Sequence, residues 1–545
     1  MKWNRNFAML CITASVCCPQ NSAPDGNPPD LGLTAIGRHH HPIQTRSALA
    51  QEYFDQGITL IYGFNHEEAA RAFAKAAELD PVSPMPLWGI ALAVGPNYNS
   101  NVDAEREKIA YETITRASKL AETSSAVERD YVKALASRFS NDANADYKQL
   151  ALTYADAMRA LSQKYPDDLD AATLFAESLM DLNPWKLWSL DGVPDRNTET
   201  IVRTLESVLT REPMHVGANH YYIHAMEASP APERALPSAN RLETMTPKAG
   251  HLIHMPAHIY ARVGNFSQAA ESNVKAIQAD AAYAKAAEQS GSMYDLMYHS
   301  HNEHFLAYAA TMEGRYAEAK SAAEAMEKRL LPHAQMMPVL EVFLWTPIWV
   351  DLRFAKWDSI LARPEPLADR AVSHLMWRYS RTLAYLAHKD IAKAQSEREL
   401  FSKEASTLPP HAAFAEMNPA AAVLSVANEV IAARLEEAHG NAYAAILHWK
   451  AAVAAQDKLN YDEPPDWYYP VRESLGAALL RDRKFKEAQT VFREDLKRNP
   501  RNPRSLFGLT RSLTAEHEET NAAWVERAFR EAWKNADVEL HLEDL

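Results

Sequence analysis

The sequence predicts an all-α protein built from tandem helix–turn–helix repeats, and three observations carry that expectation. Alanine-rich segments with helical apolar spacing fill most of the 545 residues. Glycine is scarce, at 16 residues, against a usual ~7%. Histidines recur at a fixed interval: His220 and His254 are 34 residues apart, and so are His224 and His258. A period of that length is the mark of a solenoid, and the chain is too long for one compact core.

Residues 1–18 have the form of an export signal. Lys2 and Arg5 precede the apolar run Phe7–Val16, which is too short to span a bilayer. Cys11, Cys17 and Cys18 are the only cysteines, so the body of the chain has no disulfide framework and no thiolate ligand or nucleophile. Ala14-Ser15-Val16-Cys17 resembles a bacterial lipoprotein cleavage box, with Val16 where a small residue is usual. The expected location is outside the cytoplasm, periplasmic or membrane-anchored by an N-terminal lipid. That anchor is the only membrane contact expected. A net charge of −14, with no basic stripe, excludes a nucleic-acid partner.

Residues 19–49 are rich in Pro, Gly and Asn and carry His39-His40-His41; they are expected to form a disordered tether. N-terminal repeats follow over 50–212. Tyr53, Gly57, Ala69, Phe73, Ala76 and Pro81 fall at the packing and stop positions of one unit, and Trp88-Gly89 opens the next. Helices are expected over 103–123, 125–139, 145–165, 169–182 and 198–211, with an aromatic loop holding Trp185 and Trp188. That loop is either a ligand platform or a plug over an apolar gap. Histidine-rich repeats span 213–332. Further repeats and a polar cap span 333–545, with Gly476, Phe485, Ala488, Phe492 and Pro500 marking a well-formed unit.

These positions resemble the tetratricopeptide repeat. The phrases GANHYYIHAMEASPAPERALPSANRL, GHLIHMPAHIYARVGNFSQAAE and HNEHFLAYAATMEGR are similar to a group of exported bacterial tetratricopeptide proteins to which no reaction attaches. The resemblance implies a right-handed superhelix whose unit positions two, five, nine and twelve line a concave groove. Gly264, Phe266 and Ala269 set the register. His251, His254 and His258 then hold positions two, five and nine. His220, His224 and Glu227 hold five, nine and twelve of the preceding unit. His301, His304 and Tyr308 hold two, five and nine of the following one. His215 and His299 precede their helices, and His251 is expected at the rim.

Imidazoles gathered in this way suit a divalent transition metal, with Zn, Cu, Fe or Ni all compatible with an all-nitrogen set. Glu227 and Tyr308 are candidate ligands or outer partners; Asn219, Asn302 and Glu303 are candidate outer partners that orient rings. The sequence holds no HExxH, GxSxG or phosphate-binding glycine loop. It therefore predicts an exported repeat protein with a metal-binding histidine site. Its partner is a protein or peptide in the groove, or a small molecule at the histidine cluster. The alternatives are a metal-dependent oxidoreductase or hydrolase using that site, and a metal-free interaction scaffold.

Overall fold

The computed structural model describes residues 36–545 except 143, 287–290, 368, 410 and 416. The export signal expected over 1–18 lies outside the described residues. Among the described residues the regular structure is helical, with isolated bridges such as Trp188↔Pro194 in place of strands. No helix of the described residues is long and apolar enough to cross a membrane.

Consecutive helices pair as hairpins. Ala48–Tyr62 starts at Ser47, whose side chain accepts from the Ala50 N–H, and His66–Leu79 starts at Asn65, which accepts from Glu68. Such caps satisfy backbone donors that a helix start leaves open. Phe64, two residues before the second helix, has a positive φ of 56°. The same left-handed turn residue stands two before the second helix at Gly264, Gly314, Ala355, Lys389, Gly440, Arg483 and His517. One hairpin turn is thus reused along the chain, with or without glycine.

The packing repeats as well. Phe73 lies so close to Gly57 of its own hairpin and Gly89 of the next that a Cβ at either glycine would stand 2.5 Å from its ring carbons, a clash. Phe492 sits in the same way between Gly476 and Gly508, at the same spacing. This close approach of backbone to an aromatic ring is what the glycines provide. The expected helices over 103–211 are present as Ala104–Ala121, Ala126–Ala136, Tyr147–Lys164, Leu169–Met180 and Thr198–Arg211.

The chain forms two compact units, one taking in 36–259 and 275–299 of the described residues, the other 260–274 and 300–545. The boundary therefore divides the histidine-rich stretch expected as one block over 213–332. The end of the expected tether is ordered: His41 is buried, and residues 36–47 are held by side-chain bonds to helices that follow. The expected solvated cap also buries Leu540 and Leu545.

Candidate metal centre

Two helical segments supply the centre in the unit of 36–259 and 275–299. Val216–Glu227 begins at His215, whose Nδ1 accepts from the Ala218 N–H at 3.2 Å. Gly217 lies flat on the Tyr62 ring and lets this helix approach Ala48–Tyr62. The second segment is Gly250–His254, continued as Pro256–Arg262; Pro256 has no N–H to give, and the helix is interrupted at Met255. Gly250 admits the Asp280 carboxylate beside it, and Asp280 accepts from Tyr294, whose hydroxyl oxygen accepts from the His251 N–H.

His220, His224, His251, His254, His258 and Glu227 come together, with exposures of 0, 3, 4, 0, 2 and 1%. They form an interior cluster rather than the wall of an open groove. His251 is part of it, not at a rim, and its ring stacks 5.8 Å from that of His254. The ring nitrogens of His220, His224 and His251 lie within 4.8 Å of one another.

Hydrogen bonding fixes which nitrogen carries each proton. His220 Nδ1 faces the Tyr62 carbonyl at 2.5 Å and must donate to it. His224 Nδ1 donates to Glu227 Oε1 at 2.8 Å, and His258 Nδ1 donates to Glu227 Oε2 at 2.5 Å. A neutral imidazole with its proton on Nδ1 presents a lone pair at Nε2. Nε2 of His220 and of His224 is buried without a hydrogen-bond partner. Burial pushes the His220 ring well below its ordinary value, and His224 is lowered by burial against the pull of Glu227. Burial alone would raise Glu227; His258 and His224 outweigh it and bring the carboxyl to about 2. The centre is thus a carboxylate holding two imidazoles in their ligating tautomer, the arrangement that accompanies metal-bound histidine.

Residues outside the histidine-rich stretch close the centre. The Phe64 ring lies 4.6 Å from His220, 5.6 Å from His224 and 5.3 Å from His251. Tyr98 and Trp185 each lie 5.4 Å from His224. Trp185 has a φ of 62° and donates its N–H to the Tyr98 hydroxyl, while Trp188 Nε1 donates to Ala225 O. The aromatic loop is therefore a plug. Phe64 and Trp185 both have left-handed backbone, as do Ala355, Lys389, Arg483, Arg501 and His517 away from the centre. His66, stacked 6.0 Å from Phe64, is held down to about 3 by burial and by Arg106 and Arg138.

Several of the other expected site residues have contacts of their own. Asn219 donates to Pro213 O and His215 O at 2.9 Å, tying its own helix start. His299 bonds Asp295. In the unit of 260–274 and 300–545, helix Ser300–Met312 carries His301, Asn302, His304 and Tyr308. There His304 is half-buried, its ring lowered to about 3 by desolvation, and stacked 5.5 Å from Tyr468, whose hydroxyl donates to His304 O. His301 lies 6.0 Å from Phe305, and Asn302 is buried. Tyr308 packs on Tyr468 and Phe266, with burial raising its hydroxyl. Glu303 is paired with Arg329.

A second histidine group surrounds Asp170. His39 Nε2, His41 Nδ1 and His215 Nε2 lie 2.9, 2.8 and 3.2 Å from its oxygens, and Tyr62 donates its hydroxyl at 2.5 Å. Here the tautomer argues against an ion. His215 Nδ1 accepts the Ala218 N–H, so its single proton is on Nε2 and points at Asp170. This group is a carboxylate gathered by hydrogen-bond donors.

No protein-family model and no curated protein sequence matches the chain. Solved structures similar to it include the human IFIT1 dimer with PPP-AAAA (13% identity, TM-score 0.33, covering 90% of this chain and 92% of that one). Yeast Tom70 is similar at 12% identity and TM-score 0.30, covering 86% and 89%. The Cut9–Hcn1 hetero-tetramer of the APC/C is similar at 12% identity and TM-score 0.28, covering 90% and 95%. Nothing about ligand or partner passes from these to this chain. The reused hairpin turn and the glycine–phenylalanine packing give the chain a tetratricopeptide-type helical-repeat fold.

Proposed function

We propose that this protein is a helical-repeat binding protein whose interior centre holds one divalent transition-metal ion on His220, His224 and His251. The observation that carries the proposal is the tautomer lock: Nε2 of His220 and of His224 keeps a buried lone pair because Nδ1 of each is committed, to Tyr62 O and to Glu227. Ligand atoms on a four-coordinate ion with 2.0–2.1 Å bonds stand ~3.3 Å apart. The three ligand atoms lie within 4.8 Å of one another, so no pair has more than ~1.5 Å to close. The nitrogen-only ligand set with a carboxylate behind it suits Zn, Fe, Cu or Ni. Burial favours an ion here over a peptide, and limits any chemistry at the centre to molecules little larger than water.

The test is metal analysis of protein purified without a histidine tag, followed by chelation and reloading. Wild type retains one preferred ion at this centre. The double variant His220→Ala, His224→Ala loses it while keeping its helical circular dichroism spectrum. Metal-free wild type that takes up no Zn, Fe, Cu or Ni on reloading ends the proposal and leaves a metal-free scaffold. Export belongs to the same proposal: fractionation should find the mature chain beyond the inner membrane, starting at or after Cys17, with detergent partition lost on changing Cys17 and Cys18 to Ser.

A further inference from the structure

We infer that a second ion is held beside the first, on His254 and His258, with Glu227 as the carboxylate common to both; this rests on the metal reading of His220, His224 and His251. Glu227 gives one oxygen to each side: Oε1 takes the His224 proton and Oε2 takes the His258 proton. One side chain thus sets the ligating tautomer of two imidazoles whose rings are 5.8 Å apart. With its proton on Nδ1, His258 turns the Nε2 lone pair towards His254, and the two Nε2 atoms are 2.8 Å apart. Two nitrogens bound at right angles to one ion through 2.0–2.1 Å bonds stand ~2.9 Å apart. Residues four apart lie on one helical face, which lets these two rings meet.

The chemical class of the second ion follows from the ligands. Imidazole nitrogen without thiolate selects the same borderline divalent metals as the first site. Two divalent ions exceed the single negative charge of Glu227, and an uncompensated charge in a buried site is costly. A small anion such as hydroxide would be needed to balance the charge of a second ion held by His254 and His258. A centre of this kind acts on small oxyanions or on water itself, in keeping with burial of both imidazole sets.

The test counts ions in the full-length, untagged chain, stripped by chelator and titrated with Zn or Co(II). Wild type should bind two ions per chain. His258→Ala should bind one, and His220→Ala should bind one, each with an unchanged helical spectrum. Glu227→Gln should weaken both sites together, by roughly 10–100-fold. In the Co(II)-loaded protein, the absorption of the second equivalent should vanish in His258→Ala while the first remains. His258→Gln serves as a second variant if alanine disturbs folding. A wild-type count of one, unchanged in His258→Ala, overturns the second ion and leaves the first standing; the short His254–His258 contact is then a hydrogen bond. A count of zero removes both. Loss of both ions in a folded His258→Ala protein overturns the inference too.

Discussion

Tyr62 donates its hydroxyl to Asp170 at 2.5 Å, and its carbonyl accepts the proton of His220 Nδ1 at 2.5 Å. One residue therefore ties the carboxylate that gathers His39, His41 and His215 to the first imidazole of the candidate metal centre. The two bonds are separable, because one uses the side chain and the other the backbone. Tyr62→Phe should cost about 1.5–3 kcal/mol, the range for a bond to a charged group, while leaving metal content unchanged. Tyr62→Ala also empties the space against Gly217 and should cost about 3–5 kcal/mol, with weaker metal retention. Chemical denaturation and metal analysis of both variants check this; metal loss in Tyr62→Phe would contradict it.

Asp170 should govern acid sensitivity. Burial opposes its ionisation, but His39, His215 and His41 outweigh burial and hold it well below its ordinary value of 3.8. A lowered carboxyl contributes stability that is full above the unfolded value and is lost as pH falls through the folded one. His41 moves the other way: burial lowers it, yet the bond to Asp170 leaves it raised above 6.5. Its share is full below 6.5 and is lost as pH rises through the folded value. Both are complete between about pH 4 and 6.5. Asp170→Asn should lower stability most inside that window and flatten both limbs. Urea midpoints of the two proteins from pH 3 to 8 read the difference; parallel curves would show that Asp170 has no such role.

Much of the centre was legible because helices fix direction. Residues three and four apart share a face, so His220, His224 and Glu227 could be placed together before any fold was known, and the repeat period brought His254 and His258 alongside. The enclosing parts left no such trace. The Tyr62 carbonyl is backbone, common to every residue. Phe64, Lys389 and Arg483 make the same left-handed turn as Gly440, but only glycine announces such a turn in a sequence. His39 reaches Asp170 across 131 residues, a pairing that composition pointed away from. The groove positions implied by the repeat put the imidazoles at a solvent wall; aromatic rings from Phe64, Tyr98 and Trp185 make it an interior instead.

The repeat packing gives a prediction that does not depend on metal. Gly57 and Gly89 face the Phe73 ring with no room for a methyl group. Gly57→Ala should destabilise by about 1–3 kcal/mol through overpacking, although alanine is the better helix former. Phe73→Leu removes ring atoms from the same place, so the double variant should be less damaged than the sum of the singles. A double-mutant cycle reads this coupling. Additive losses would mean that the glycine serves something other than the ring. Gly476→Ala with Phe492→Leu should repeat the result in the other unit.

Phe64 joins backbone strain to the candidate metal centre. Its φ of 56° costs a non-glycine residue roughly 1–2 kcal/mol, and its ring covers His220, His224 and His251. The two effects come apart in a pair of substitutions. Phe64→Ala removes the ring and keeps the strain; Phe64→Gly removes both. The glycine variant should therefore be the more stable by about 1 kcal/mol, the reverse of the order at an ordinary helical position. Both variants open the centre to water, so both should surrender their ion to a chelator faster than wild type. Thermal or urea midpoints read the first effect and the rate of metal transfer reads the second. Alanine proving as stable as glycine would show that the turn bears no strain at Phe64. An unchanged transfer rate would show that the ring does not guard the ion.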